Sequence, residues 1–304
     1  MNQEPFYSIN QYNRKLYGEK TYKISLNGGM SCPNRDGTLG TKGCVFCSKG
    51  GSGDFAASAV LSISEQIEDA IERISRKYTG NSFIAYFQAF TNTYAPVSHL
   101  EKIFTEAIED SRISGLAIAT RPDCLEPDKI ELLSKLNRIK PITIELGLQT
   151  TNENTARYIN RGYTLDVFDD ACRRLKCAGI PVVAHMIVGL PGESHSDYLA
   201  TAKHIADLNL DGIKIQLLHV LLDTDLATDY NEGKFEALSL TEYVTTVVDI
   251  IEILPPQMVV HRITGDGPKN LLIAPLWSTN KKNVLNSIMK EFRNRNTYQG
   301  KEYR

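Results

Sequence analysis

The sequence predicts an α/β protein built as a partial, TIM-like (β/α)6 barrel with short additions at both ends. Two observations carry this expectation. From about Lys20 onward, apolar β-rich runs alternate with longer amphipathic stretches, the pattern of successive β/α units around a parallel sheet. The strand candidates are near-continuous apolar runs, as strands buried on both faces should be. A chain of 304 residues, 42% hydrophobic and 23% charged, holds the material for one sizeable domain and has no long polar or repetitive stretch. The expected layout is an N-terminal extension over 1–19, the barrel over 20–254 and a C-terminal extension over 255–304, basic near its end. A flat doubly wound sheet is the other arrangement the alternation allows.

In chain order the strands are expected at Lys23 to Leu26, Ser82 to Phe87, Gly115 to Ala119, Ile142 to Gly147, Pro181 to Val188 and Gly212 to Leu217, with a further candidate at Val259 to Ile263. Helices are expected at Ser64 to Tyr78, Val97 to Asp110, Pro127 to Asn137, Leu165 to Ala178, His195 to Leu208 and Thr241 to Leu254. Ser64 and Ser194 stand where helix N-caps belong, and Gly179 stands where a C-cap glycine turns the chain through Ile180-Pro181 into the next strand.

A net charge of -2 offers no whole-molecule attraction for nucleic acid or an anionic membrane, so any basic surface must be local. The opening stretch through Lys20 lacks an apolar signal core, and no apolar run approaches the roughly 20 residues that span a bilayer. A cytoplasmic protein with no membrane partner is expected. Six cysteines without a secretion signal point to metal or redox use rather than to a disulfide framework.

Three of them follow Cys-x11-Cys-x2-Cys, as Cys32, Cys44 and Cys47, in a glycine-rich loop just after the first expected strand. A pair two residues apart can bind one metal centre while the third folds back across Gly37, Gly40 and Gly43. Three ligands leave a coordination position open. Structural zinc is the plainer reading, but a closed zinc site takes four protein ligands and no further Cys or His follows nearby. Cys172 and Cys177, in a helical run, are expected to be core residues. Cys124 lies at a strand end and stays open between the two roles.

Further segments recur in order: Thr120-Arg121-Pro122-Asp123 after the third strand, Glu145-Leu146-Gly147-Leu148-Gln149 on the fourth, and His185 to Glu193 on the fifth. Together with the cysteines, these resemble the radical S-adenosylmethionine superfamily, in a bacterial subgroup akin to the catalytic subunit of Elongator and to oxygen-independent coproporphyrinogen oxidase. The first cysteine interval is wider than the superfamily's usual Cys-x3-Cys-x2-Cys, as it is in Elongator-like members.

The resemblance implies a barrel of the radical S-adenosylmethionine type. It also implies a four-iron, four-sulfur cluster on Cys32, Cys44 and Cys47, with S-adenosylmethionine on the unique iron. One electron then breaks the sulfonium bond to give methionine and a 5'-deoxyadenosyl radical, for which a cellular electron donor is needed. Phe46 falls at the position that contacts adenine. Gln88, opening the segment through Thr93, takes the place of the glycine-rich methionine-binding segment, without the usual Gly-Gly-Glu. Arg121, Glu145, Gln149 and Gly189 would face the cofactor. For Glu145 the alternative is a salt bridge to Arg161 or Arg121. Lys214 to Val220 and His261 to Gly267 would lie above the cofactor, on the substrate side.

Lys281, Lys282, Lys290, Arg293, Arg295, Lys301 and Arg304 alternate with Trp277, Phe292 and Tyr298 near the C terminus. That pattern fits either a nucleic-acid surface or a solvated helix face. Because Elongator-like enzymes modify wobble uridines in tRNA, the resemblance implies tRNA as substrate. A small-molecule substrate and a non-catalytic iron–sulfur or zinc protein are the competing readings.

Overall fold

The computed structural model describes residues 4–51, 53, 56–75, 78, 80–265 and 267–303. Of the residues singled out above, Asp266 and Arg304 lie outside the described residues, as do Arg76 and Lys77 near the end of the first expected helix.

Helix α1 (Ile9–Tyr17) comes first, opened by a Ser8–Gln11 capping box and closed by Gly18 at a φ of 77°. The β/α series follows as β1 (Tyr22–Leu26), α2 (Ile63–Ser75), β2 (Phe83–Phe87), α3 (Val97–Glu109), β3 (Ile113–Thr120), α4 (Pro127–Asn137) and β4 (Ile142–Gln149). It continues with α5 (Glu153–Tyr158), α6 (Leu165–Cys177), β5 (Val182–Val188), α7 (His195–Asp207) and β6 (Gly212–Leu217). The remainder is β7 (Val220–Leu221), α8 (Asp225–Asn231), α9 (Leu240–Ile253), β8 (Val259–Arg262), β9 (Leu272–Ala274) and α10 (Lys281–Arg295).

Seven of these strands form one sheet in the order β1-β2-β3-β4-β5-β6-β8, every neighbouring pair parallel. β8 therefore adds a seventh strand to the six of the repeating series. The sheet is curled. Tyr86 on β2 and Lys214 on β6 would stand about 19 Å apart across a flat sheet. Their hydroxyl and ammonium groups nevertheless meet at 3.2 Å. The expected partial parallel barrel is thus observed, and the flat sheet is not.

Both sheet faces are covered, which is why β2 reads as five consecutive buried residues. The helices pack outside through apolar stripes at helical spacing, as in α3 with Leu100, Ile103, Phe104, Ala107 and Ile108. β7 and β9 pair antiparallel beyond the C-terminal end of β6. Helix α10 lies on α9 and buries Val284, Ile288 and Phe292, so the C-terminal segment closes the core.

Two local expectations are corrected. α2 begins at Ile63, capped by the Ser62 hydroxyl, which accepts from Glu65 N at 3.2 Å. Ser64 instead donates to Glu106 across to α3 at 2.9 Å. Cys172 is buried, but Cys177, at the last turn of α6, is exposed because the apolar stripe has rotated away from it. The Ser194 capping box at α7 and the left-handed Gly179 after α6 stand where they were expected.

Candidate functional site

The cavity at the C-terminal ends of the strands is built from the loop after β1 and from side chains pointing into the curl of the sheet. Its lining joins Cys32, Cys44 and Cys47 above to Glu145, His185 and Lys214 below. The cysteine loop is tied at both ends by Arg35. Its backbone N donates to Cys32 O at 2.8 Å, and its guanidinium donates to Cys47 O at 2.9 Å and Ser48 O at 2.7 Å. Asn34 donates to Asn160 O at 2.7 Å, and Asn160 returns a bond to Gly43 O at 2.7 Å, so the loop is fastened to the segment after α5.

Gly43 has a φ of +80°, and a Cβ there would stand 2.7 Å from Arg35 Nε. Gly43→Ala is therefore expected to displace the Arg35 tie and cost about 1–3 kcal/mol through backbone strain. Urea unfolding of the apoprotein measures that cost, and unchanged stability would remove the tie from the account.

As a free thiol, Cys44 is pushed up to about 12, first by burial and then by Cys47, with Arg121 pulling the other way. Three thiols on one loop suit a soft metal centre that draws off their protons and keeps coordination positions open. Among the described residues, no three His, Cys, Asp or Glu side chains are gathered tightly enough for a single metal ion. An iron–sulfur cluster, with its irons at separate corners, takes thiolates that stand further apart, and the donor set fits it.

The floor is a buried charge cluster around Glu145, whose side chain is fully buried. Its Oε1 accepts from Lys23 at 2.5 Å, while Oε2 accepts from Lys214 and, at 2.9 Å, from His185 Nε2. Burial alone would raise the Glu145 pKa, but Lys214, Lys23 and His185 hold it well below the usual carboxylate range. His185 is pushed down to about 4, mainly by burial and then by Lys214, so it is neutral near pH 7. A carboxylate only accepts, so Nε2 carries the ring proton and Nδ1 accepts from Gln216 at 3.2 Å. Burial pushes Lys214 down to about 7, and Lys23 and Arg262 act the same way. Lys23 and His261 line a second cavity under α1, so the cluster forms a septum across the barrel interior.

The structure places the expected residues unevenly. Phe46, Gln88, Arg121, Glu145 and Gln149 all line the cysteine cavity. Phe46 is half-buried, Gln88 accepts from Ser25 at 3.1 Å, and Gln149, at a φ of 63°, accepts from Tyr163 at 3.2 Å. Arg121 is committed to Asp123, with Nε to Oδ1 at 2.9 Å and Nη2 to Oδ2 at 2.7 Å. Gly189 stands apart: with a φ of +98° it turns the chain out of β5 against Leu238 and Leu218.

The salt bridges considered for Glu145 are corrected too, because Arg161 pairs with Glu153 at 2.9 Å and Arg121 with Asp123. Lys23 and Tyr86 were missed. A lysine in an apolar strand is the signal that could have found Lys23, since buried charges need partners. Of the substrate-side candidates, Gln216 and Arg262 line the cavity and His219 an adjoining pocket, but His261 lies beneath the septum. Cys124 is buried and its thiol lies 3.8 Å from Asp123.

A parallel half-barrel with a three-thiol loop over a charged floor at its C-terminal mouth has its site where barrel enzymes carry their chemistry. The family model described as Radical SAM superfamily matches residues 36–205, and the Radical_SAM C-terminal domain model matches 210–294. The chain belongs to the radical SAM superfamily. The uncharacterized protein YtqA of Bacillus subtilis (strain 168) is 46% identical over 296 residues, covering 97% of this chain and 92% of YtqA. Elongator complex protein 3 of Homo sapiens is 27% identical over 204 residues, covering 66% of this chain and 36% of that protein. The solved structure of archaeal Methanocaldococcus infernus Elp3 with an N-terminal deletion shares the fold, with a TM-score of 0.71 and 17% identity over 92% of this chain and 64% of that one. Among the described residues, no helix is long and apolar enough to cross a membrane.

Proposed function

We propose that this chain binds a four-iron, four-sulfur cluster through Cys32, Cys44 and Cys47 together with S-adenosylmethionine, and acts on tRNA at the side chain of a wobble uridine. When bound, the pair supplies a 5'-deoxyadenosyl radical, formed by one-electron cleavage of the sulfonium bond with methionine as the other product, which takes a hydrogen atom from the substrate. The observation that carries the reading is that all three thiols line one cavity with the polar floor of a radical SAM barrel.

The chain's own residues would divide the work. Arg35, Asn34 and Asn160 hold the cysteine loop against α5. Phe46 offers a half-buried ring for an adenine, and the Gln88 and Gln149 amides offer polar contacts at the cavity wall. Glu145 stays ionised among Lys23, Lys214 and His185 and fixes the floor on which a ligand would rest. The curled sheet shields the interior from solvent. tRNA as substrate is supported by the likeness to Elongator complex protein 3, and an electron donor of the cell would supply the reducing electron.

The test compares the modified nucleosides of total tRNA from cells with and without the gene by mass spectrometry. One wobble nucleoside should be lost on deletion, restored by the intact gene and not by one lacking the three cysteines. An unchanged profile would move the substrate to a small molecule.

A further inference from the structure

Helix α10 carries a one-sided charge distribution. Its fifteen residues hold Lys281, Lys282, Lys290, Arg293 and Arg295 against a single acid, Glu291, on a chain whose net charge is -2. Glu291 is bound to Arg295 at 2.7 Å, and Arg295 is itself turned onto Asp249 of α9. At 100° per residue, Lys282, Lys290 and Arg293 fall within one arc of about 80°, opposite the buried Val284, Ile288 and Phe292. All three are exposed, and none is engaged in an ion pair among the described residues.

The helix also has a direction. It begins just after β9, which pairs with β7 beyond the C-terminal end of β6, on the side of the cysteine cavity. The preceding Trp277 donates to Leu238 O at 2.9 Å, and Leu238 packs on Gly189 at the end of β5. At its far end, Gln299 donates to Pro255 O at 2.7 Å and Met258 O at 2.8 Å, in the turn that enters β8 from the opposite end of the barrel. The positive end of the helix dipole, with Lys281 and Lys282 and no acid in the first turn, thus faces the mouth. Exposed Tyr298 stands beyond the last turn. Phe292 and Trp277 are used by the core, which leaves a stripe of cations with one aromatic at its end.

We infer that the outer face of α10 is a phosphate track, on which Lys282, Lys290 and Arg293 hold the backbone of the RNA whose target nucleotide enters the cysteine cavity. This rests on the tRNA reading above and adds to it the surface and direction of approach. A helix of fifteen residues runs roughly 22 Å, enough for several consecutive phosphates. An extended cationic line matches a polyanion better than it matches the compact acidic patch of a protein partner.

The test uses the full, anaerobically reconstituted protein and an unmodified tRNA transcript, with Kd measured across a salt series. The triple variant Lys282→Gln, Lys290→Gln, Arg293→Gln should bind at least tenfold more weakly. The slope of log Kd against log salt should fall by roughly two to three, since each phosphate contact contributes about 0.7–0.9. Formation of 5'-deoxyadenosine without RNA should be unchanged in this variant, and so should tRNA binding by Lys135→Gln, Lys203→Gln on α4 and α7. If the triple variant keeps wild-type affinity and slope, the track is wrong and the tRNA reading stands. If the wild-type protein itself shows no affinity for the transcript at low salt, both fail. Loss of reduction by an acidic flavodoxin-type donor, with tRNA binding intact, would assign the helix to that donor and overturn the track.

Discussion

Replacing Cys32, Cys44 or Cys47 with alanine is expected to bring 5'-deoxyadenosine formation to background and to strip the iron from the reconstituted protein. Each is one of the three thiols that line the cavity, and among the described residues no other cysteine does. Losing one leaves two thiols on a loop that Arg35 and Asn160 hold in place, so a replacement cannot swing in without breaking those ties. Cys177→Ala, at an exposed position on α6, should leave iron content and product unchanged. Iron analysis, the visible absorption band and product chromatography make the comparison. A Cys44→Ala protein that retains both cluster and product would overturn the ligand assignment. A wild-type protein with a full cluster, ample reductant, tRNA and S-adenosylmethionine but no product would make the cysteines those of a non-catalytic metalloprotein.

What the sequence shows and what it hides follows from the range of the interactions. The strand runs were readable because a two-sided parallel strand writes its burial into consecutive residues, as in Phe83 to Phe87. The cysteine loop was readable because its three cysteines are neighbours in the chain. The partners of Glu145 were not, since Lys23 lies 122 residues away and Lys214 lies 69 away. Only the curl of the sheet brings β1 and β6 to β4, and curl leaves no local trace. Nor does the amphipathic period of α10 survive a reading that pairs its basic residues with its aromatics: Val284, Ile288 and Phe292, four apart, place Phe292 inside.

Glu145→Gln is expected to destabilise the protein by about 3–5 kcal/mol, the cost of leaving the buried Lys214 ammonium without its counter-charge. Lys214 has a side chain only 8% exposed and, among the described residues, no other carboxylate bonded to it, while Lys23, 28% exposed, can turn to water. Lys214→Met removes one of two lysines and leaves Glu145 with Lys23 and His185, so it should cost less. In the double variant the penalty should fall well below the sum of the two, a coupling that a double-mutant cycle reads by denaturant unfolding. Additive costs would mean that the two side chains do not share a charge.

The acid limb gives an independent check on the same group. The folded pKa of Glu145 lies below its ordinary value of 4.5, so between the two values the unfolded chain holds a proton that the folded one does not. Stability must then rise with pH across that window, be fully present above about 4.5 and be lost as pH falls through the folded value. Glu145→Gln removes the titrating group, and its stability curve below pH 4.5 should be flatter than that of the wild type. Parallel curves would place the charge elsewhere. A flatter curve, together with coupling to Lys214, would establish that the barrel floor is held by one carboxylate shared between two strands on opposite sides of it.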